Sequence, residues 1–170
     1  MNSMEKLDRK TCFDYCVEAG KETGLDPYLI YAIIETESNR IIDAESKSGA
    51  IGLMQITDIA RQEVNSYFGM QFSKEDMKYP LLNIRIGALY LTRWYQYFLS
   101  QDYENGMALL FALMCYNWGY GYILKWLDEG NQDNQKITEL IPFEKMQYNE
   151  DVMYWYAWAK KNLKEVIEHE

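Results

Sequence analysis

The chain has 170 residues, with 17 Lys+Arg against 26 Asp+Glu and a formal net charge of −9. With 48% apolar residues it can bury one sizeable core, and this composition fits neither a disordered chain nor a repeat array. The acidic balance, with no Lys/Arg cluster set against it, argues against a nucleic-acid partner. Cys12, Cys16 and Cys115 give no disulfide framework, and the single histidine, His169, leaves no metal-ligand set. Met1 to Lys10 carries five charges and lacks the apolar stretch of a signal peptide. The longest apolar run, Met107 to Tyr116, is about half of the ~20 residues that span a bilayer. The expectation is one compact soluble domain over residues 1–170 with no membrane anchor, in which 1–24 forms an N-terminal helix packed on the rest.

In chain order, a first helix is expected over Leu7 to Thr23, stopped by Gly24. Asp26 is a good N-cap and Pro27 suits the first helical position, so Pro27 to about Ser38 should be the second helix, with Ile30, Ile33 and Ile34 as its apolar stripe. From Asn39 to Ile56 the helical pattern stops, and Ser46, Ser48, Gly49 and Gly52 predict a turn-rich lobe of loop or strand. Helix returns over Asp58 to Phe68, pauses from Gly69 to Pro80, and resumes over Ile84 to Leu99 with Asn83 as cap. Met107 to Cys115 is apolar on every side and should be a central helix. Gly119 and Gly121 should break the chain after Asn117, ahead of a short amphipathic helix over Ile123 to Leu127 and a polar loop over Gly130 to Gln135. A last helix is expected from about Glu150 to Ile167, patterned on Met153, Tyr156 and Ala157.

One residue breaks the pattern. The stripe Ile30, Ile33, Ile34 continues by the helical step to Glu37, a carboxylate on the predicted buried face and in the last turn, where the backbone dipole is negative. Burial and dipole both favour the protonated carboxyl, the form needed to protonate a departing glycosidic oxygen. Glu37 is therefore a candidate general acid. On pattern alone a surface carboxylate on a shorter helix is the competing reading. Glu35, two residues away, should point to the opposite side, into solvent.

From Glu37 the chain reads Glu37-Ser38, Ala44-x-Ser46, then Gly49-Ala50-x-Gly52-Leu53-Met54-Gln55, nineteen positions in all. This resembles, without a gap, the signature of lytic transglycosylases of the soluble lytic transglycosylase (SLT) type. Asn83-Ile84-x-x-Gly87-x-x-Tyr90-Leu91 and Tyr116-Asn117-x-Gly119-x-Gly121 are similar to the second and third blocks of that family, and Pro142-x-Glu144-x-x-x-Tyr148 to its closing motif. The blocks occur in the family's order and cover Leu25 to about Tyr156.

The resemblance implies a mainly α, lysozyme-like domain with a small turn- or strand-containing lobe beside a groove. Glu37 would be the sole catalytic carboxylate, acid first and base second. In the family the C6 hydroxyl of N-acetylmuramic acid attacks the anomeric carbon and leaves a 1,6-anhydro ring, which dispenses with the second carboxylate of the usual glycosidase pair. Ser46 and Gln55 would line the groove, Met54 would pack at the acetamide subsite, and Tyr116 would orient Glu37 or the acetamido group. As isolated residues these read as turn formers, for Ser46 and Gln55, and as core, for Met54 and Tyr116. Glu144 would face the groove with Tyr148 supporting it. Ser38, Gly52, Asn83, Asn117 and Gly119 are read as structural members of the motif, Asn117 by capping the Gly119 turn. The sequence departs from the family at Arg40 and Ile42, where an aromatic and a proline are usual, and at Thr57 to Arg61, which leaves the groove rim open to variation.

The activity implied is cleavage of the β-1,4 bond between N-acetylmuramic acid and N-acetylglucosamine in peptidoglycan glycan strands, with no cofactor and no metal. Two alternatives stand beside it: a hydrolytic muramidase on the same fold, and a non-catalytic wall-binding module of a phage tail or secretion apparatus. The substrate lies at the cell wall, so delivery is expected through a phage, a secretion or conjugation machine, or a removed leader.

Overall fold

The computed structural model describes residues 5–129 and 143–169, which fall into two compact units. The first unit takes in the chain up to Tyr90 and returns with Val152 onward. It opens with α1 (Arg9–Thr23), capped by the Asp8 carboxylate, which accepts from the Thr11 N–H at 2.8 Å, and closed by Gly24 in the left-handed region at φ 79°. The predicted helix over Leu7 to Thr23 thus begins two residues later, where Asp8 satisfies the first-turn donors. α2 (Pro27–Ser38) has the predicted bounds, because Asp26 accepts from the Tyr28 N–H at 2.9 Å and Pro27 sits where a missing N–H costs nothing. α1 packs on α2, where the Phe13 ring lies 4.8 Å from that of Tyr28.

After α2 the chain runs through irregular backbone held by isolated bridges, Lys6 to Ile41, Glu45 to Ile51 and Ile51 to Ile56, in place of a named strand. α3 (Asp58–Phe68) starts on the Thr57 cap, again at the predicted bounds. A short 3-10 turn (Glu75–Lys78) leads to α4 (Pro80–Ser100). Here the prediction needs correcting. Asn83 does not cap the helix: it lies in the first turn, its N–H bonded to the Tyr79 carbonyl at 2.8 Å, since Pro80 already opens the helix.

The second unit, Leu91 to Asp151, contains the rest of α4, α5 (Asn105–Trp118) and α6 (Tyr120–Asp128). Five consecutive residues of α5, Phe111 to Cys115, are buried, as its all-round apolar pattern requires. Phe98, Tyr103 and Phe111 form the aromatic centre, with Tyr103 and Phe111 rings 5.1 Å apart. Only Gly119 breaks the chain, at φ 91° and ψ 136°, while Gly121 lies inside α6, contrary to expectation. α7 (Phe143–His169) begins seven residues before the predicted start and runs from the second unit back into the first. Its described buried residues are Tyr148, Asn149, Val152, Ala159 and Leu163, while of the residues on which the sequence pattern rested Tyr156 is half-buried and Met153 and Ala157 are exposed. The predicted loop over Gly130 to Gln135 lies outside the described residues.

Cys12, Cys16 and Cys115 are buried thiols, and burial pushes that of Cys16 above its ordinary range. Among the described residues no helix is long and apolar enough to cross a membrane.

Candidate active site

The site begins with the burial of α2. Leu29 to Glu35 is buried without interruption, so the helix is covered on both sides and its apolar stripe is not one-faced. This overturns the prediction for Glu35. It does not face solvent but is 5% exposed, and its Oε1 accepts from the Tyr31 hydroxyl at 2.5 Å and from Arg40 Nε at 2.8 Å. A carboxylate can occupy such a place only when ion-paired and hydrogen-bonded, and both conditions are met. Burial, and then the hydrogen bond to Glu35, push the Tyr31 hydroxyl far above its ordinary pKa. Glu37, predicted on the buried face, is half-buried and remains accessible.

Ser38, next to Glu37, is buried, and its hydroxyl donates to the Leu53 carbonyl at 2.8 Å. The last turn of α2 is thereby fastened to the irregular lobe. Within that lobe the organising side chain is Asn83. Its Oδ1 accepts from the Met54 N–H at 2.8 Å, and its Nδ2 donates to the carbonyls of Ile51 at 2.8 Å and Met77 at 2.7 Å. Gly52 sits against it at φ 77°, and a Cβ there would stand 2.4 Å from Asn83 Nδ2. The glycine is thus required twice, by its left-handed backbone and by the close approach of the amide.

The remaining residues of the first block take up structural positions. Ser46 Oγ accepts from the Ala50 N–H at 3.0 Å and lies 2.9 Å from Ser48 Oγ, closing a turn. Gln55, left-handed at φ 48°, donates its amide to the carbonyls of Ala44 at 3.1 Å and Gly52 at 3.0 Å. Met54 is wholly buried and packs on Gly87, where an added Cβ would meet its sulfur at 2.5 Å. In this structure Met54 is therefore core and offers no surface to a ligand. Glu37, Ser38, Ser46, Gly52, Met54, Gln55 and Asn83 all belong to the first unit.

Tyr116, Asn117, Gly119 and Tyr148 belong to the second unit. Tyr116 is half-buried near the end of α5, and Tyr148 is buried. Asn117 is exposed inside the last turn of α5, and the Gly119 turn is capped by backbone, Gly119 N–H to the Cys115 carbonyl at 2.9 Å, instead of by the Asn117 side chain. Glu144 lies in the first turn of α7, and its side chain is outside the described residues.

Sequence reasoning missed the Tyr31, Glu35 and Arg40 network. The i, i+4 spacing of Tyr31 and Glu35 was its one local trace. Arg40 was legible only as a departure at the rim.

Residues 14–139 match the family model described as the transglycosylase SLT domain. The chain belongs to the transglycosylase SLT family. Among its relatives, the endo-type membrane-bound lytic murein transglycosylase A of Cronobacter sakazakii is 34% identical over 136 residues, 77% of this chain and 66% of that one. The membrane-bound lytic murein transglycosylase F of Desulfosudis oleivorans is 31% identical over 148 residues, 82% of this chain and 30% of that one. The SLT fold is also seen in the 70-kDa soluble lytic transglycosylase from Escherichia coli, with a TM-score of 0.73 and 28% identity over 87% of this chain and 24% of that one. An inactive mutant of the lytic transglycosylase Slt from Pseudomonas aeruginosa gives 0.71 and 30%, with the same shares covered. The SLT chain spans no more than 66% of the length of any of these relatives. Its mainly helical, lysozyme-like architecture agrees with the expected fold class.

Proposed function

We propose that the chain is a peptidoglycan lytic transglycosylase in which Glu37 acts first as acid and then as base. The observation that carries this reading is the placement of Glu37. It stands half-buried in the last turn of a helix that is buried from Leu29 to Glu35, at the head of the gapless family signature, with Ser38 beside it tied to the signature's own loop. An acid must reach the glycosidic oxygen, so partial exposure suits it, whereas the fully buried Glu35 is already committed to Arg40. The bond cut is the β-1,4 linkage between N-acetylmuramic acid and N-acetylglucosamine. Protonation of the leaving oxygen by Glu37 is followed by its return as base toward the muramyl C6 hydroxyl, which closes the 1,6-anhydro ring.

Support comes from the relatives, which are named lytic murein transglycosylases, and from the P. aeruginosa protein, whose inactive form carries a single glutamate-to-glutamine exchange. We read residues 1–170 as one catalytic domain, because the family match runs across the boundary between the two units. Tyr116, Glu144 and Tyr148 are assigned to substrate on the strength of their motif positions. Ser46 and Gln55 are assigned to the groove side of the lobe they brace, and Met54 to packing beneath it. The place of action is the cell wall, reached through a phage, a secretion or conjugation machine, or a removed leader; fractionation of producing cells should find the protein with the wall.

The test is digestion of purified peptidoglycan by the protein and by Glu37→Gln, with mass spectrometry of the released muropeptides. Anhydro products, lighter by one water than hydrolysis products and absent with the variant, are expected. Reducing-end products would make the protein a muramidase, and equal behaviour of both proteins would make it a binding module.

A further inference from the structure

A helix's last turn frays, because its final carbonyls have no partners inside the helix. A general acid placed there works only if something outside the helix holds it to within a fraction of an ångström of its productive position. The turn after Glu37 carries such a device. Asn39 and Arg40 are successive non-glycine residues in the left-handed region, at φ 51° and 64°, and Arg40 is 6% exposed. A buried arginine keeps that backbone only where its surroundings over-determine it.

The surroundings are two. Arg40 Nε donates to Glu35 Oε1 at 2.8 Å, one turn back along α2, and the same oxygen accepts from Tyr31. Arg40 also grips both polar groups of Leu7: its carbonyl accepts from the Leu7 N–H and its Nη1 donates to the Leu7 carbonyl, each at 2.9 Å. Ile42 N–H then donates to the Glu5 carbonyl at 3.0 Å, so Glu5 to Leu7 lies as a short arm along the residues that leave α2. The guanidinium is a planar fork able to satisfy two acceptors in fixed directions, which an aromatic ring at this place could not do.

We propose that Arg40 is a positioning residue for Glu37, tying the residues that leave α2 back to Glu35 in its last turn on one side and to the 5–7 arm on the other. The proposal rests on the reading of Glu37 as the acid. A buried ion pair is a poor device for stability, since apolar groups of similar volume commonly serve as well or better. Its directional bonds serve placement instead.

The test compares wild type, Glu37→Gln, Arg40→Met, Arg40→Lys and the triple variant Tyr31→Phe, Glu35→Leu, Arg40→Met, by turnover of peptidoglycan, thermal unfolding and amide exchange over residues 37–42. Arg40→Met should lower kcat roughly 10- to 100-fold with KM within about twofold. Arg40→Lys, which keeps the charge and loses the fork, should recover part of it. The triple variant should regain the melting temperature without regaining kcat, and amides 37–42 should exchange faster in it than in wild type. Recovery of kcat together with stability in the triple variant overturns the proposal and leaves the network merely structural. If wild type is as inert as Glu37→Gln, the functional reading has failed; amide exchange then decides alone, and unchanged exchange over 37–42 in the Arg40 variants overturns the proposal.

Discussion

α2 and the lobe from Ala44 to Thr57 meet at the Ser38 to Leu53 hydrogen bond, and they differ in how their backbone groups are satisfied. The helix is held by apolar burial, with Ile30, Ile33 and Ile34 fully enclosed. The lobe closes turns and isolated bridges on its own backbone, such as the reciprocal Ile51 and Ile56 pair, and polar side chains, Asn83 above all, take up further backbone groups one at a time. A helix satisfies its backbone internally and needs only a place to bury its sides. Irregular backbone near a core needs a named partner for each polar group. Glu37 stands where the two kinds of structure join, which gives a carboxylate both a rigid base and an open side.

Substitutions can separate the two modes of support. The largest effect is expected from Glu37→Gln, which should reduce muropeptide release by a factor on the order of 100 or more with a far smaller effect on the melting temperature, because glutamine keeps the size and hydrogen-bonding capacity of the side chain and removes only its acid. Next is Glu35→Ala, which leaves Arg40 buried without its counter-charge and should cost about 3–5 kcal/mol in denaturant unfolding. A smaller cost would mean that α2 tolerates water at its end.

In the lobe, Asn83→Ala removes the acceptor of the Met54 N–H and a donor to the Met77 carbonyl, while the Ile51 carbonyl keeps the Ile56 N–H, and about 3 kcal/mol is expected from chemical denaturation. Gly52→Ala, driven against the same amide, should cost about 2–4 kcal/mol and should not add fully to Asn83→Ala, since the two share one contact.

The smallest effect lies at the other end of α2. Burial opposes ionisation of Asp26, but hydrogen bonds from Tyr156, the Tyr28 N–H and Lys160 outweigh it and hold the carboxyl below its ordinary value. The unfolded chain, with a carboxyl near ~3.9, takes up the proton first on acidification. This contribution to stability is therefore complete above about pH 4 and is lost as the pH falls through the folded value. Melting temperatures from pH 6 down to pH 2 should fall less steeply in Asp26→Asn than in wild type.

Much of the fold could be read from local chemistry. Asp26-Pro27 and Thr57-Asp58 set helix starts because a cap and the first turn lie within three residues of each other, and Gly24 set a stop for the same reason. Periodicity served less well at α7, where a polar stretch hid seven residues of helix and aromatic side chains lie on the exposed as well as the buried side. The candidate site was legible through spacing in the chain: the run from Glu37 to Gln55 picks out the junction of helix and lobe.

The two glutamates of α2 mark the limit. Composition and pattern established an acidic, mainly helical chain, the bounds of α2 and α3, and Glu37 as the carboxylate that begins the signature. Which glutamate is buried was decided by the tertiary structure, because burial depends on what covers each side of a helix, and both sides of α2 are covered. The Arg40 side chain that makes burial of Glu35 tolerable, the 5–7 arm that holds Arg40, and the Asn83 amide that replaces a ladder in the lobe were likewise settled only by folding. A hydrogen bond between groups some thirty residues apart leaves no period in a sequence, whereas a cap or an apolar stripe is written within one turn.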